Sequence, residues 1–194
     1  SGGAAEGGHG LQGTQWTKLL GNRTVVCLCL MYFTQTFGNA FYVTWLPTYL
    51  ASRGLTGMTA GILAGLPLTL SVLADLTGGL TTDRAARRLG LRLGRIAVGG
   101  GALAAAGLFT IAGTFTESPV TAAVLIALGG ASSNFLLGAA WGTCLDIGGR
   151  RSGAVSAAMN TSGQVGAIFS PILIAFVVQR FSNWSAPLYL TGVL

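Results

Sequence analysis

The chain has 194 residues, of which 51% are hydrophobic and only 8% charged, with mean hydropathy +0.65 and a formal net charge of +6. A water-soluble domain carries about 25% charged residues, so this chain has too little polar surface to cover a fold in water, and the bilayer is its natural solvent. It contains no Ser/His/Asp set, no His-rich motif and no phosphate-cradling loop, so no catalytic residue, metal or cofactor is expected and an enzyme is not the reading.

Residues 1–15 are rich in Gly, Ala and Ser and lack the basic start and apolar core of a signal peptide. They read as a flexible cytoplasmic linker, and His9, the one histidine, as solvated. From there the charges punctuate the chain. Uncharged runs lie between Arg23 and Arg53, Gly54 and Ala74, Ile96 and Thr116, Ser118 and Leu145, and Ser152 and Gln179. A spanning helix needs about 20 mostly apolar residues, and these runs are too long and uniform for spanning strands. They predict an all-α membrane bundle over 16–194, with helices at 24–50, 58–81, 94–115, 119–145 and 152–179. A sixth, 186–194, is cut short, so a fragment of a longer protein is expected.

Nine of the eleven Lys and Arg residues fall on one side of these spans: Lys18 and Arg23, then Arg84, Arg87, Arg88, Arg92 and Arg95, then Arg150 and Arg151. The other side has Arg53 and Arg180. The positive-inside rule places the first side and the N-terminus in the cytoplasm. This bias explains the net charge without nucleic-acid binding. Trp16, Trp45, Tyr49, Trp184 and Tyr189 lie near the expected interfaces.

Within the first span, Tyr32, Gln35, Asn39 and Tyr42 share one helical face. In the fifth, Ser156, Asn160 and Gln164 do the same, and the fourth adds Ser132, Ser133 and Asn134. Polar groups in lipid face a cavity or a partner helix. The two stripes suggest one aqueous cavity, with Asn160 its foremost candidate; the competing reading is hydrogen bonding between helices. Asp75 lies two turns inside Asp83, ~12 Å deeper, and reads as structural or gating. Asp146 is expected to pair with Arg150 and Arg151. Gly57, Gly61 and Gly65 form a close-packing face, and Pro67 and Pro171 predict kinks. Cys27, Cys29 and Cys144 read as buried free thiols.

The run from Asp75 to Arg88 carries a specific likeness. Gly79, Asp83, Arg84, Arg87 and Arg88 resemble the G-x-x-x-D-R-x-G-R-R loop of the major facilitator superfamily, with Ala86 in place of its second glycine. A carboxylate facing arginines at a helix end makes a charge-assisted lock that can bias a two-state carrier. A longer likeness runs through Trp-Leu-Pro-Thr-Tyr-Leu at Trp45–Leu50, Asp-Ile-Gly-Gly at Asp146–Gly149, Gly153–Asn160 and Ser170-Pro171. These strings resemble the C-terminal half of the anion:cation symporter family, from Trp16 onward.

The resemblance implies that the six spans are the second half of a twelve-helix carrier. That carrier would move small organic anions, sugar acids or related carboxylates, by alternating access and with protons, through a multi-pass protein of the cell (inner) membrane. Its substrate site would lie near the midplane, and its coupling carboxylates and substrate arginine in the missing N-terminal six-helix half. Alternatives are a sugar or drug exporter of the same fold, or a non-transporting scaffold or sensor.

Overall fold

The computed structural model describes residues 19–193. The expected linker 1–15, which holds His9, lies outside them, as do Trp16 and Lys18.

Asn22 starts the first helix by accepting the Thr24 N–H at 2.9 Å. α1 (Arg23–Thr44) and α2 (Leu46–Ser52) occupy the stretch predicted as one helix over 24–50. Pro47 explains the division. It offers no N–H to the carbonyl four residues back and its ring crowds that carbonyl, so helix stops at Thr44 and restarts with proline in the first turn. α3 (Gly57–Leu89) and α4 (Leu91–Thr114) are separated by Gly90 alone, at φ 83°, a left-handed backbone that glycine adopts freely. Arg84, Arg87 and Arg88 are therefore helical, where the sequence reading has a loop. Arginine is a good helix former, and charge halts a bilayer crossing without halting a helix.

Pro119 opens α5 (Pro119–Phe135), and α6 (Leu137–Gly148) continues it after a break at Leu136. A 3-10 turn at Gly149–Arg151 leads into α7 (Ser152–Phe181), and α8 (Ser185–Val193) follows. No strand occurs among the described residues. Among the described residues, four helical stretches are long and apolar enough to cross a membrane: Arg23–Thr44, Gly57–Leu89, Leu91–Thr114 and Pro119–Phe181. The last turns at Gly149, φ 48°, and its 63 residues are enough for two crossings.

α1 packs chiefly on α7, α3 and α4 on α5, and α8 on α4. Small residues set these contacts. A side chain on Gly78 would strike the Phe135 carbonyl, and one on Gly166 the Phe33 carbonyl. α3 buries Leu63, Pro67, Ser71, Ala74, Gly78 and Thr82. Gly57, Gly61 and Gly65 lie off that face with no described atom within 4 Å of an added Cβ, so no described helix packs on the close-packing face expected there. Pro67 and Pro171 sit within α3 and α7, both of which continue past them.

Two apolar clusters fill the interior. One joins Val25, Leu28, Tyr32, Leu136, Cys144 and Met159 at the arginine-rich end. The other joins Phe41, Leu46, Tyr49, Leu50, Ile126 and Leu188 towards the opposite end. Much apolar surface stays outside: Leu76, Leu108, Phe115, Ile168, Ile172 and Phe176 are all exposed. Water would oppose such a surface and lipid accepts it.

Candidate functional site

Between the two clusters along the chain lies a polar layer. Gln35 of α1 is 3% exposed, and its Nε2 donates to Asn134 Oδ1 at 3.1 Å. Asn134, at the end of α5, donates to Ser71 Oγ of α3, and Ser71 donates to the Pro67 carbonyl at 2.7 Å. Gln35 Oε1 is buried with no hydrogen-bond partner among the described residues. The Tyr42 hydroxyl lies 3.1 Å from Thr110 Oγ1 of α4. Tyr32 is packed against Gly163 and stands edge-on to Trp141, ring centres 6.0 Å apart. Asn39 is half-buried.

Gln35 and Tyr42 thus make bonds between helices, and both also line a cavity of about 480 Å³ with Thr34, Ser133 and Thr191. Ser132, one residue away, turns to a different cavity of about 510 Å³ between α3, α4 and α5, with Thr77 and Thr81.

The α7 stripe goes elsewhere. α7 buries Val155, Met159, Gly163, Gly166, Ser170 and Ile174. Asn160 and Gln164 each follow a buried residue, about 100° further round the helix, and both are exposed. The stripes of α1 and α7 therefore do not meet in one cavity among the described residues, contrary to expectation. The reason is that α1 packs on the glycine face of α7: Thr36 Oγ1 donates to the Gly163 carbonyl at 2.7 Å, and Ser162 Oγ to the Cys29 carbonyl at 2.9 Å. The same bonds set Gln164 within a turn of the level of Gln35.

Of the proposed lock, Gly79 lies where α3 meets Gly138 of α6. Asp75, Asp83, Arg84, Arg87 and Arg88 are exposed on α3. The one ion pair among the described residues joins Arg95 of α4 to Asp146 of α6, Nε donating to Oδ2. The expected pairing of Asp146 with Arg150 and Arg151 is corrected by this. Both arginines lie past the end of α6 in the turn at Gly149, while Asp146, still on the helix, faces α4. The thiols are free, but only Cys144 is buried; Cys27 is exposed.

Two groups, Ser71 and Thr110, escaped sequence reasoning. Asn134, noted only beside Ser132 and Ser133, is the hub of the polar layer, and an amide inside an apolar run was its signal. Ser71 and Thr110 gave none, because hydroxyls in apolar helices commonly bond to their own backbone.

The family model of the Major Facilitator Superfamily matches residues 3–171. The chain is 31% identical to the probable sulfoacetate transporter SauU of Cupriavidus necator, over 93% of this chain and 42% of that protein. It is 26% identical to the chloroplastic ascorbate transporter of Arabidopsis thaliana, over 92% and 34%, and 26% identical to the probable galactarate/D-glucarate transporter GudP of Bacillus subtilis, over 90% and 39%. It spans about two-fifths of the length of these curated relatives. An apolar helical bundle and a family match over most of its residues lead to one conclusion: this chain belongs to the major facilitator superfamily.

Proposed function

We propose that this chain is one half of a secondary carrier for small organic anions, sugar acids or related carboxylates, working by alternating access and coupled to protons. The observation that carries the proposal is the exposed amide face of α7. Asn160 and Gln164 stand on the surface of a largely apolar membrane bundle, Gln164 within a turn of the level of the buried Gln35–Asn134–Ser71 layer and Asn160 one turn before it. Amides facing lipid are costly, so this face needs water or a partner. A water-filled pathway against a second six-helix half answers that need, and amides bond well to the hydroxyl and carboxylate oxygens of a sugar acid.

The relatives named for sulfoacetate and for galactarate/D-glucarate support the anion class. Anion uptake against an inside-negative potential costs about 2.3 kcal/mol per charge per 100 mV, and a proton entering alongside cancels one charge. In this reading α3 carries the closing surface of the arginine-rich, cytoplasmic side, with Asp83, Arg84, Arg87 and Arg88 meeting the other half and Asp75 behind them.

The test is Asn160→Ala in the full-length carrier, reconstituted in liposomes with an inward proton gradient and a labelled aldarate. Uptake is expected to fall at least ~10-fold at unchanged protein level, the loss that follows from one hydrogen bond to a charged group at the low end of its range of about 1.5–3 kcal/mol. Wild-type uptake in that variant removes Asn160 from the site.

A further inference from the structure

At the arginine-rich end a cavity of about 980 Å³ lies between the starts of α1 and α4 and the end of α6. No residue of α3 or α7 lines it, so it stands apart from the faces given to transport, and its reading does not depend on them. Arg23, Arg92, Arg95 and Asp146 line it, three guanidinium groups to one carboxylate. Arg95 is built into place. Its side chain is 14% exposed, Nε is held by Asp146, and its guanidinium lies so close on Gly142 that any side chain there would strike it. Its terminal nitrogens have no acceptor among the described residues, and Arg23 and Arg92 have no ion pair among them.

Thr24, Cys27 and Thr143 contribute small side chains, and the rest of the wall is apolar and opens outward. Leu91, Ile96 and Ile147 line the same cavity and are exposed. Cations backed by exposed hydrocarbon, at the end of a membrane helix bundle, fit an amphiphile with an anionic head. The planar forks of arginine match phosphate oxygens, and basic pockets between helices near the membrane surface suit anionic lipid heads. We propose that this cavity binds the phosphate headgroup of an anionic phospholipid, with an acyl chain running out along Leu91 and Ile96. A soluble anion would use the arginines and leave the aliphatic wall facing nothing that it needs. Asp146 has two opposed effects: it orients Arg95 and lowers the net charge, so the site is tuned below its full attraction.

The experiment is native mass spectrometry of the full-length protein titrated with phosphatidylglycerol and, as the neutral reference, phosphatidylcholine. The wild type is expected to retain phosphatidylglycerol in preference. Arg23→Gln with Arg92→Gln, both at exposed positions, should weaken it about 25-fold, at roughly five-fold per arginine near the membrane surface. Asp146→Asn should tighten it about five-fold, because a negative charge leaves the site. Weaker or unchanged retention in that variant overturns the proposal, since an ion pair that merely braces α4 to α6 could give only that. Neutralising Arg84, Arg87 and Arg88 together should change retention by less than about two-fold. A loss equal to that of the double variant would mean general surface attraction and overturn the site. Displacement of the lipid by millimolar inorganic phosphate would make the occupant a soluble anion and overturn the lipid assignment.

Discussion

Asn134 accepts from Gln35 and donates to Ser71, so removing its side chain leaves Gln35 Nε2 without its acceptor and Ser71 Oγ with its bond to the Pro67 carbonyl alone. In water the unfolded chain would satisfy those groups. In a membrane the separated helices also find partners, and measured couplings between such pairs average about 0.6 kcal/mol with a ceiling near 1.7. The cycle of Gln35→Ala, Asn134→Ala and the double variant is therefore expected to give a coupling of about 0.6–1.7 kcal/mol when the full-length protein is unfolded by detergent titration. Strict additivity would mean that the bond is incidental to stability. The face holding Gln35 and Tyr42 was legible from their spacing, because a polar stripe in an apolar helix has to turn away from lipid. Which helix waits opposite was not legible, since periodicity records a direction and no neighbour. Asp146 makes the same point: Arg150 is four residues away in the chain, yet the carboxylate is held by Arg95, 51 residues away, because the turn at Gly149 carries the nearer arginines off.

Beyond its buried Leu46, Tyr49 and Leu50, the short helix α2 is tied at its end by one charged residue. Arg53 donates to the Tyr49 hydroxyl at 2.9 Å and, from its other terminal nitrogen, to the carbonyls of Thr116 and Glu117 at 2.8 and 3.0 Å. It thereby ties the end of α2 to the turn between α4 and α5, and its guanidinium lies 5.8 Å from the Tyr49 ring centre. Arg53→Ala is expected to lower stability by about 1.5–3 kcal/mol, the range for hydrogen bonds to a charged group. Arg53→Lys should recover less than half, because an ammonium on a flexible stem cannot hold the fork geometry that reaches two elements at once. Thermal unfolding of the purified full-length protein decides it, and full rescue by lysine would reduce the contact to simple charge. At this scale the long apolar helices were legible because charges flank uncharged runs. The division of the first span was not, although Pro47 was in view: hydropathy cannot distinguish one long helix from two that share an apolar run. The helical continuation through Arg84–Arg88 was missed for the converse reason, that charge ends a membrane span and says little about where a helix ends.

Across the whole bundle the basic residues separate into two ends. The pair of Arg95 with Asp146, and the cavity shared by Arg23, Arg92 and Arg95, gather the starts of α1 and α4 and the end of α6 at one end. Arg53, bonded at the turn between α4 and α5, marks the other. α4 alone, with 24 residues rising ~1.5 Å each, is about 36 Å long, enough to hold these ends on opposite sides of a ~30 Å hydrocarbon core. Chain topology follows the side richer in Lys and Arg, so the Arg95 end should face the cytoplasm. In the full-length protein with every cysteine replaced, Cys27, Cys29 and Cys144 included, a membrane-impermeant maleimide should therefore reach Arg88→Cys in inverted vesicles and not in intact cells. Glu117→Cys should behave oppositely. Both sites are exposed, so failure to react cannot be blamed on burial. Labelling of residue 88 in intact cells would invert the bundle, and the arginine-rich surface proposed to close the pathway would then sit on the outer face. An anion arriving from outside would meet that surface first, and the same charges would serve as an entry funnel.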